Sequence, residues 1–169
     1  KLIESVMKLN NDFLLFGLNF QSGIIFFYNT KFNLDGEYIN LYNLENKIIR
    51  PIFKDARIHC AINCCSISCP KLHNDIITIS DLDDLCQNWI NNPHNIKLDD
   101  KNSTIWLSKI FKFYTNDFIE FYKPSMENGL NELGFVHYYA NNNDFKESIK
   151  NASINGYTIE YFEYNWQLN

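Results

Sequence analysis

The sequence predicts an α+β fold. The expectation is a single compact domain over residues 1–169, with a small mixed or antiparallel sheet and packed helices, a papain- or transglutaminase-like arrangement being one form of it. Three observations lead there. Hydrophobic residues make up 46% of the chain and charged residues 21%, the balance of a globular core and not of a disordered segment. Short stretches of period two are interspersed with stretches of helical spacing. No internal repeat, linker or low-complexity block beyond Asn141–Asn143 interrupts the pattern.

Taken in order, Leu2, Ile3, Val6, Met7 and Leu9 have the spacing of a short opening helix. Phe13 to Tyr28 is apolar without a clean period and reads as one or two buried strands, with Gly23 at a bend. Asp35-Gly36 stands between alternating segments, the strongest hairpin signal in the chain. Leu44, Ile48 and Ile49 fit a short helix ending near Pro51. Arg57 to Cys64 alternates. As a strand it would put Ile58, Cys60, Ile62 and Cys64 on one face and Arg57, His59, Ala61 and Asn63 on the other. Pro70 ends regular structure there.

Ser80 is the expected N-cap of a helix through Asn91, with Leu82, Leu85, Cys86 and Trp89 as its apolar side. Ile105 to Leu107 is a short buried strand. Ser108 caps a helix carrying Ile110, Phe111, Tyr114 and Phe118. A further helix covers Met126 to Leu133 and stops at Gly134; Phe135 to Ala140 fits either state, and Tyr157 to Tyr164 alternates as a last strand.

Net charge is −5 and no basic stripe is present, which argues against nucleic acid as a partner. The longest apolar run, Phe13 to Phe27, is broken by Asn19, Gln21 and Ser22, so no membrane span is expected. No targeting segment is recognisable, which leaves the compartment open and favours a cytoplasmic one. The five cysteines are odd in number and Cys64-Cys65 are adjacent, which points to reduced thiols and not to a stapled extracellular framework.

The chemistry concentrates in Arg57-Ile58-His59-Cys60-Ala61-Ile62-Asn63-Cys64-Cys65-Ser66-Ile67-Ser68-Cys69-Pro70. It holds four of the five cysteines and one of the only two arginines, the other being Arg50. Thiolates are the reactive form of cysteine, and nearby cations favour them.

Four blocks carry a resemblance. They are Leu44–Arg50, the Arg-Ile-His…Asn-Cys…Ser-Cys-Pro stretch, Ser108–Tyr114 with Asp117-Phe118, and Tyr164–Asn169. In order and spacing, from Gly36 onward, they resemble the family called domain of unknown function 547. The resemblance implies motif positions for Arg50, Arg57, His59, Asn63, Cys64, Ser68, Cys69, Pro70, Ser108, Lys109, Tyr114, Asp117 and Trp166. It also marks departures. Asn46 stands where the family has His, Cys65 where it has a small residue, Cys60 where it has Phe, and Asn165 where it has Asp. The family's upstream aromatic helix is not recognisable before Asn19.

A cysteine with a spatially adjacent histidine is the arrangement of thiol hydrolases and acyl transferases. The candidates are Cys64 or Cys69 as nucleophile, His59 or His137 as base, and Asn63, Asp117 or Asn165 as orienting group. Arg57 and Arg50 are candidates for binding a substrate carboxylate or phosphate. Structural or orienting roles fall to Asp117, Ser68 and Trp166. A redox reading pairs Cys64 with Cys69. A metal reading through His59, Cys64, Cys65 and Cys69 lacks the usual pair spacing, so no metal and no cofactor are expected.

Two functions follow as expectations. One is a cysteine-dependent hydrolase or acyl/thiol transferase acting on a small peptide-like or thiol-containing substrate. The other is a non-catalytic domain that binds a protein partner and in which the same stretch is structural. Two structural expectations accompany them. Arg57 is buried against a carboxylate, Asp117 first and Asp55 second, and Tyr164 to Leu168 docks into the core with Trp166 buried.

Overall fold

The computed structural model describes residues 25–64, 66–73, 75–122 and 130–167. The opening helix and most of the Phe13–Tyr28 stretch lie outside them. By its contacts the chain divides into two compact units at Lys54/Asp55.

The first unit holds the hairpin. Strand β1 (Lys31–Leu34) pairs antiparallel with β2 (Glu37–Asn40), with Leu34 opposite Glu37. Asp35 and Gly36 between them have φ of 50° and 89°, the left-handed pair that a two-residue hairpin turn requires. Asn33 Oδ1 accepts from the Gly36 N–H at 3.0 Å and braces the turn. Ile25–Asn29 is a π-helical turn and not a strand. Asn40 caps the helical run that follows, accepting from Asn43 N–H at 2.7 Å. The run continues as a π segment, Leu44–Ile49, and an α turn, Arg50–Phe53. The sequence placed its end near Pro51. The wider π segment lets the backbone pass the proline, which lacks an N–H and crowds the preceding turn. The stop comes instead at Lys54, whose φ is 48°.

The second unit holds the core. Asp55 accepts from Arg57 N–H and caps a 3-10 helix, Ala56–Cys60, in which Ala56, Ile58, His59 and Cys60 are buried. The strand expected from Arg57 to Cys64 is therefore not formed, and the division into alternating faces does not apply. A period-two pattern over so few residues is also compatible with one tight helical turn whose neighbours bury it on several sides.

Helix α1 (Leu82–Ile90) buries Leu82, Cys86, Trp89 and Ile90. Its start is set by Thr78 and not by Ser80. Thr78 forms a capping box with Asp81 ahead of the 3-10 turn Ile79–Asp81 that leads into the helix. Strands β3 (Ile96–Asp99) and β4 (Thr104–Leu107) pair antiparallel, Ile96 opposite Leu107. Ser108 accepts from Ile110 N–H, as its sequence position predicts, and opens α2 (Lys109–Phe113), followed by α3 (Thr115–Tyr122).

Of the helix expected over Met126–Leu133, residues up to 129 lie outside the described set. Gly134 is no stop: it sits inside α4 (Leu133–Tyr139), face to face with the Tyr122 ring, where a Cβ would overlap ring carbons. The glycine is there for close packing and not for a helix end. Helix α5 (Asn143–Ile154) is capped by Asn142, a signal hidden in the asparagine run. Strand β5 (Thr158–Tyr161) then pairs parallel to β4, with Leu107 opposite Tyr161. The three-stranded sheet is thus mixed, in the order β3-β4-β5. The α+β class holds. Because β5 is registered on β4, the chain that leaves it delivers the terminal segment to a defined place.

Candidate functional site

Two clusters form around the central stretch. The first gathers the sulfurs. Cys64 and Cys69 are joined in a disulfide, with Cα atoms 6.2 Å apart. The expectation of reduced thiols is corrected at this pair, while Cys60 and Cys86 are free and buried. The loop between the half-cystines is braced from within. Cys64 N–H donates to Cys69 Sγ at 3.0 Å, Cys69 N–H donates to Ser66 O at 3.0 Å, and Asn63 Nδ2 donates to Pro70 O at 2.6 Å. Asn63 therefore closes the base of the loop.

The terminal segment lies against this loop. Tyr164 places its hydroxyl 3.1 Å from Cys64 Sγ, 3.2 Å from Cys69 Sγ and 3.0 Å from Ser66 Oγ. Ile67 N–H donates to Gln167 O at 2.8 Å, and Asn165 N–H donates to Ser68 Oγ at 2.8 Å. Ser68 is thus an anchoring residue for the tail. Trp166 is not a core residue as expected. It is 40% exposed and packs on the Tyr164 ring at 4.4 Å. The tail docks through its backbone and Tyr164, because the loop offers polar groups where an apolar socket would be needed to bury an indole. Removing Asn165 to Asn169 is accordingly expected to cost about 1–2 kcal/mol, a few net hydrogen bonds and partial ring burial, and not the loss of a buried Trp. Thermal unfolding of the truncated chain measures it.

The second cluster is buried. His59, with a side chain 2% exposed, bonds Asp117 Oδ2 through Nε2 at 2.8 Å. Its ring stacks on Tyr114 at 3.9 Å and tilts against Phe118 at 5.4 Å. Asp117 thereby belongs to His59 and not to Arg57, which corrects the first-choice pairing. Among the described residues, neither ring nitrogen of His59 bonds a sulfur. His59 is thus hydrogen-bonded to a carboxylate and not to a sulfur.

Arg57 takes its second-choice partner. Its Nε and Nη2 engage both oxygens of Asp55 at 2.7–3.0 Å, and Nη1 reaches Asp83 at 3.0 Å. The short side chain two residues back reaches the guanidinium as the 3-10 turn begins, whereas Asp117 is already occupied. The Asp55 bonds push the guanidinium further above its ordinary range. Tyr139 donates to Asp83 at 2.6 Å, and this bond, with Arg57, holds the Asp83 carboxyl below the usual carboxylate range. The guanidinium lies over the Phe121 ring at 5.8 Å. Arg57 is thus engaged by two carboxylates.

Arg50 lies in the first unit, where Nη1 donates to Asn46 Oδ1. Cys86 Sγ lies 3.8 Å from Arg57 O, and burial, with a hydrogen bond to Cys86 as a lesser cause, pushes the Cys60 thiol well above its ordinary value. Both thiols are packing groups and poor nucleophiles. Tyr164 and Ser66 were not among the residues singled out, although Tyr164 opens the terminal motif block. Among the described residues, no three His, Cys, Asp or Glu side chains gather as a metal-holding group, and no helix is long and apolar enough to cross a membrane.

A family model described as protein of unknown function, DUF547, matches residues 6–90. The match begins upstream of the region in which the motifs were recognised. It contains the whole Arg57–Pro70 stretch, while the blocks at Ser108 and Tyr164 lie beyond it. No curated protein and no solved structure matches the chain. With half of its length matched, and the thiol-bearing loop inside that half, the chain belongs to the DUF547 family of proteins of unknown function.

Proposed function

We propose that this chain is a thiol-dependent protein whose reactive centre is the Cys64–Cys69 couple, and that it exchanges thiols with a small thiol-containing or cysteinyl-peptide substrate. One observation carries the reading. The two sulfurs are joined across a short loop, half-exposed at the surface, and the loop's own Cys64 N–H donates to Cys69 Sγ at 3.0 Å. A fixed amide aimed at a sulfur stabilises negative charge there, and thiol exchange needs such charge on the departing sulfur. The hydrolase or acyl-transferase form of the reading needs an imidazole at the thiol. Among the described residues no hydrogen bond joins His59 to a sulfur, so thiol transfer is the form supported best.

The test equilibrates the native protein in glutathione buffers and counts free thiols with a mass tag. The expected result is reversible loss and recovery of one disulfide mapped to Cys64 and Cys69, with Cys60 and Cys86 unlabelled in the native state. Absence of exchange in the folded chain, under conditions in which the denatured chain exchanges, would overturn the reading.

A second reading, a domain that binds a protein partner, has a separate support. Leu72, Ile76 and Ile79 follow the loop with exposures of 52%, 91% and 66%. Apolar side chains exposed in series mark contact surfaces more often than scattered ones do. Its test is binding by the C64S/C69S variant, which the thiol reading forbids and this one allows.

A further inference from the structure

We infer that Tyr164 is a catalytic residue of the exchange, donating a hydrogen bond to the departing sulfur, and that Cys69 is the sulfur that departs. The inference rests on the thiol-exchange reading and deepens it.

Tyr164 stands about a hundred residues away in sequence from the disulfide, yet its hydroxyl lies 3.1 Å from Cys64 Sγ and 3.2 Å from Cys69 Sγ. Ser66, 2% exposed, donates its own hydroxyl hydrogen to the Tyr164 oxygen at 3.0 Å. The phenol hydrogen then has both sulfurs within reach. A hydroxyl that is itself a hydrogen-bond acceptor is a stronger donor, because chained hydrogen bonds polarise one another. The phenol ring is held by Phe113 at 5.5 Å and Trp166 at 4.4 Å, so the hydroxyl is positioned before any reaction begins. Such prepositioned donors are what stabilise charge developing in a transition state.

The two sulfurs differ in their fixed surroundings. Cys64 Sγ has a second hydroxyl neighbour, Ser66 Oγ at 3.3 Å, but the hydrogen of that hydroxyl is given to Tyr164. Cys69 Sγ has the Cys64 backbone N–H at 3.0 Å, which cannot turn. Negative charge is therefore better accommodated on Cys69. A leaving sulfur with the more stabilised thiolate leaves faster.

The step balances as follows. A thiolate RS⁻ of the glutathione class attacks Cys64 Sγ. The RS–Sγ bond forms as the Cys64–Cys69 bond breaks, and the electron pair passes to Cys69 Sγ, which Tyr164 and the Cys64 amide stabilise. A second thiolate attacks the mixed disulfide, releasing RSSR and leaving Cys64 as thiolate. Two substrate thiols are oxidised and the protein disulfide is reduced; the reverse sequence oxidises the protein.

The experiment compares wild type with Tyr164→Phe, which keeps the ring and removes the hydroxyl. Exchange with glutathione is followed by quenched mass tagging, and the thiolate absorbance of Cys69 is titrated in C64S and C64S/Y164F, with C64S/C69S subtracted. The expected result is a rate about tenfold lower in Tyr164→Phe, the effect of one hydrogen bond to a charged group. The Cys69 titration should move to higher pH in C64S/Y164F, a shift that loss of mere packing would not give. The mixed disulfide trapped in wild type should map to Cys64. Equal rates with equal titrations would overturn the role of Tyr164, and a mixed disulfide on Cys69 would overturn the choice of leaving sulfur. In both cases wild type still exchanges, so the thiol reading stands. A wild-type disulfide that does not exchange at all would sink the reading itself.

Discussion

Phe111→Ala is expected to destabilise the second unit by about 3–5 kcal/mol, the range for deleting a fully buried aromatic ring. Phe111 has no exposed surface, and its ring meets Trp89 at 5.3 Å, Phe118 at 4.4 Å and Phe135 at 6.3 Å. These partners come from α1, α3 and α4, so the ring joins three helices at one point. The neighbours are themselves large and fixed by one another, with Phe118 and Phe135 at 4.9 Å, and the cavity will not collapse easily. The effect reaches the buried cluster too, because Phe118 is one wall of the His59 ring. Phe113 on the same helix is the control. It is 48% exposed, so Phe113→Ala should cost about 1 kcal/mol or less. Denaturant midpoints of the two variants measure the difference, and equal midpoints would show that Phe111 is not the packing centre.

What the sequence made legible were the local signals. Asp35-Gly36 demands a left-handed turn, Ser108 demands an N-cap, and Leu82, Cys86 and Trp89 fall on one helical face; each of these is written within a few residues. The errors have physical causes as specific as the successes. Arg57–Cys64 alternates in polarity, but Asp55 supplies a cap that starts a 3-10 turn, and a cap outweighs a short period. Gly134 reads as a helix end from its type alone, while its reason is the Tyr122 ring on another helix. Asn142 caps α5, but in an asparagine-rich chain it does not stand out. The candidate site divides in the same way. The Cys64–Cys69 pair stood in the sequence as one alternative within a short loop, while the odd count and the adjacent Cys64-Cys65 favoured reduced thiols. That Tyr164 would stand over both sulfurs was not readable, because that contact depends on the parallel registration of β5 on β4 and on everything folded between them.

Arg57→Ala is expected to destabilise the second unit by about 3 kcal/mol, the lower end of the range for breaking a buried ion pair. The estimate is built from its two partners. Arg57 and Asp55 have side chains 18% exposed each and share several hydrogen bonds, so removing the guanidinium leaves a largely buried carboxylate with its main partner gone. Asp83 is 60% exposed, and water screens its share, which adds less than about 1 kcal/mol. The Arg57 guanidinium also lies over the Phe121 ring, so that contact is lost with the charge. Arg57→Lys separates these contributions. Lysine keeps charge and stem but cannot meet both Asp55 oxygens and Asp83 together, and it should recover less than half of the loss. The pH dependence carries the sign. In the folded chain the Asp83 carboxyl titrates below its ordinary value, held there by Tyr139 and then Arg57. Its contribution is therefore fully present above the ordinary carboxylate pKa of about 3.9 and is lost as pH falls through the lower folded value. Arg57→Ala removes one of the two causes, so the gap in stability between wild type and variant should narrow on acidification below about pH 4. A gap that stays constant from neutral pH down through that window would mean that packing, and not the carboxylate pairs, is what Arg57 supplies.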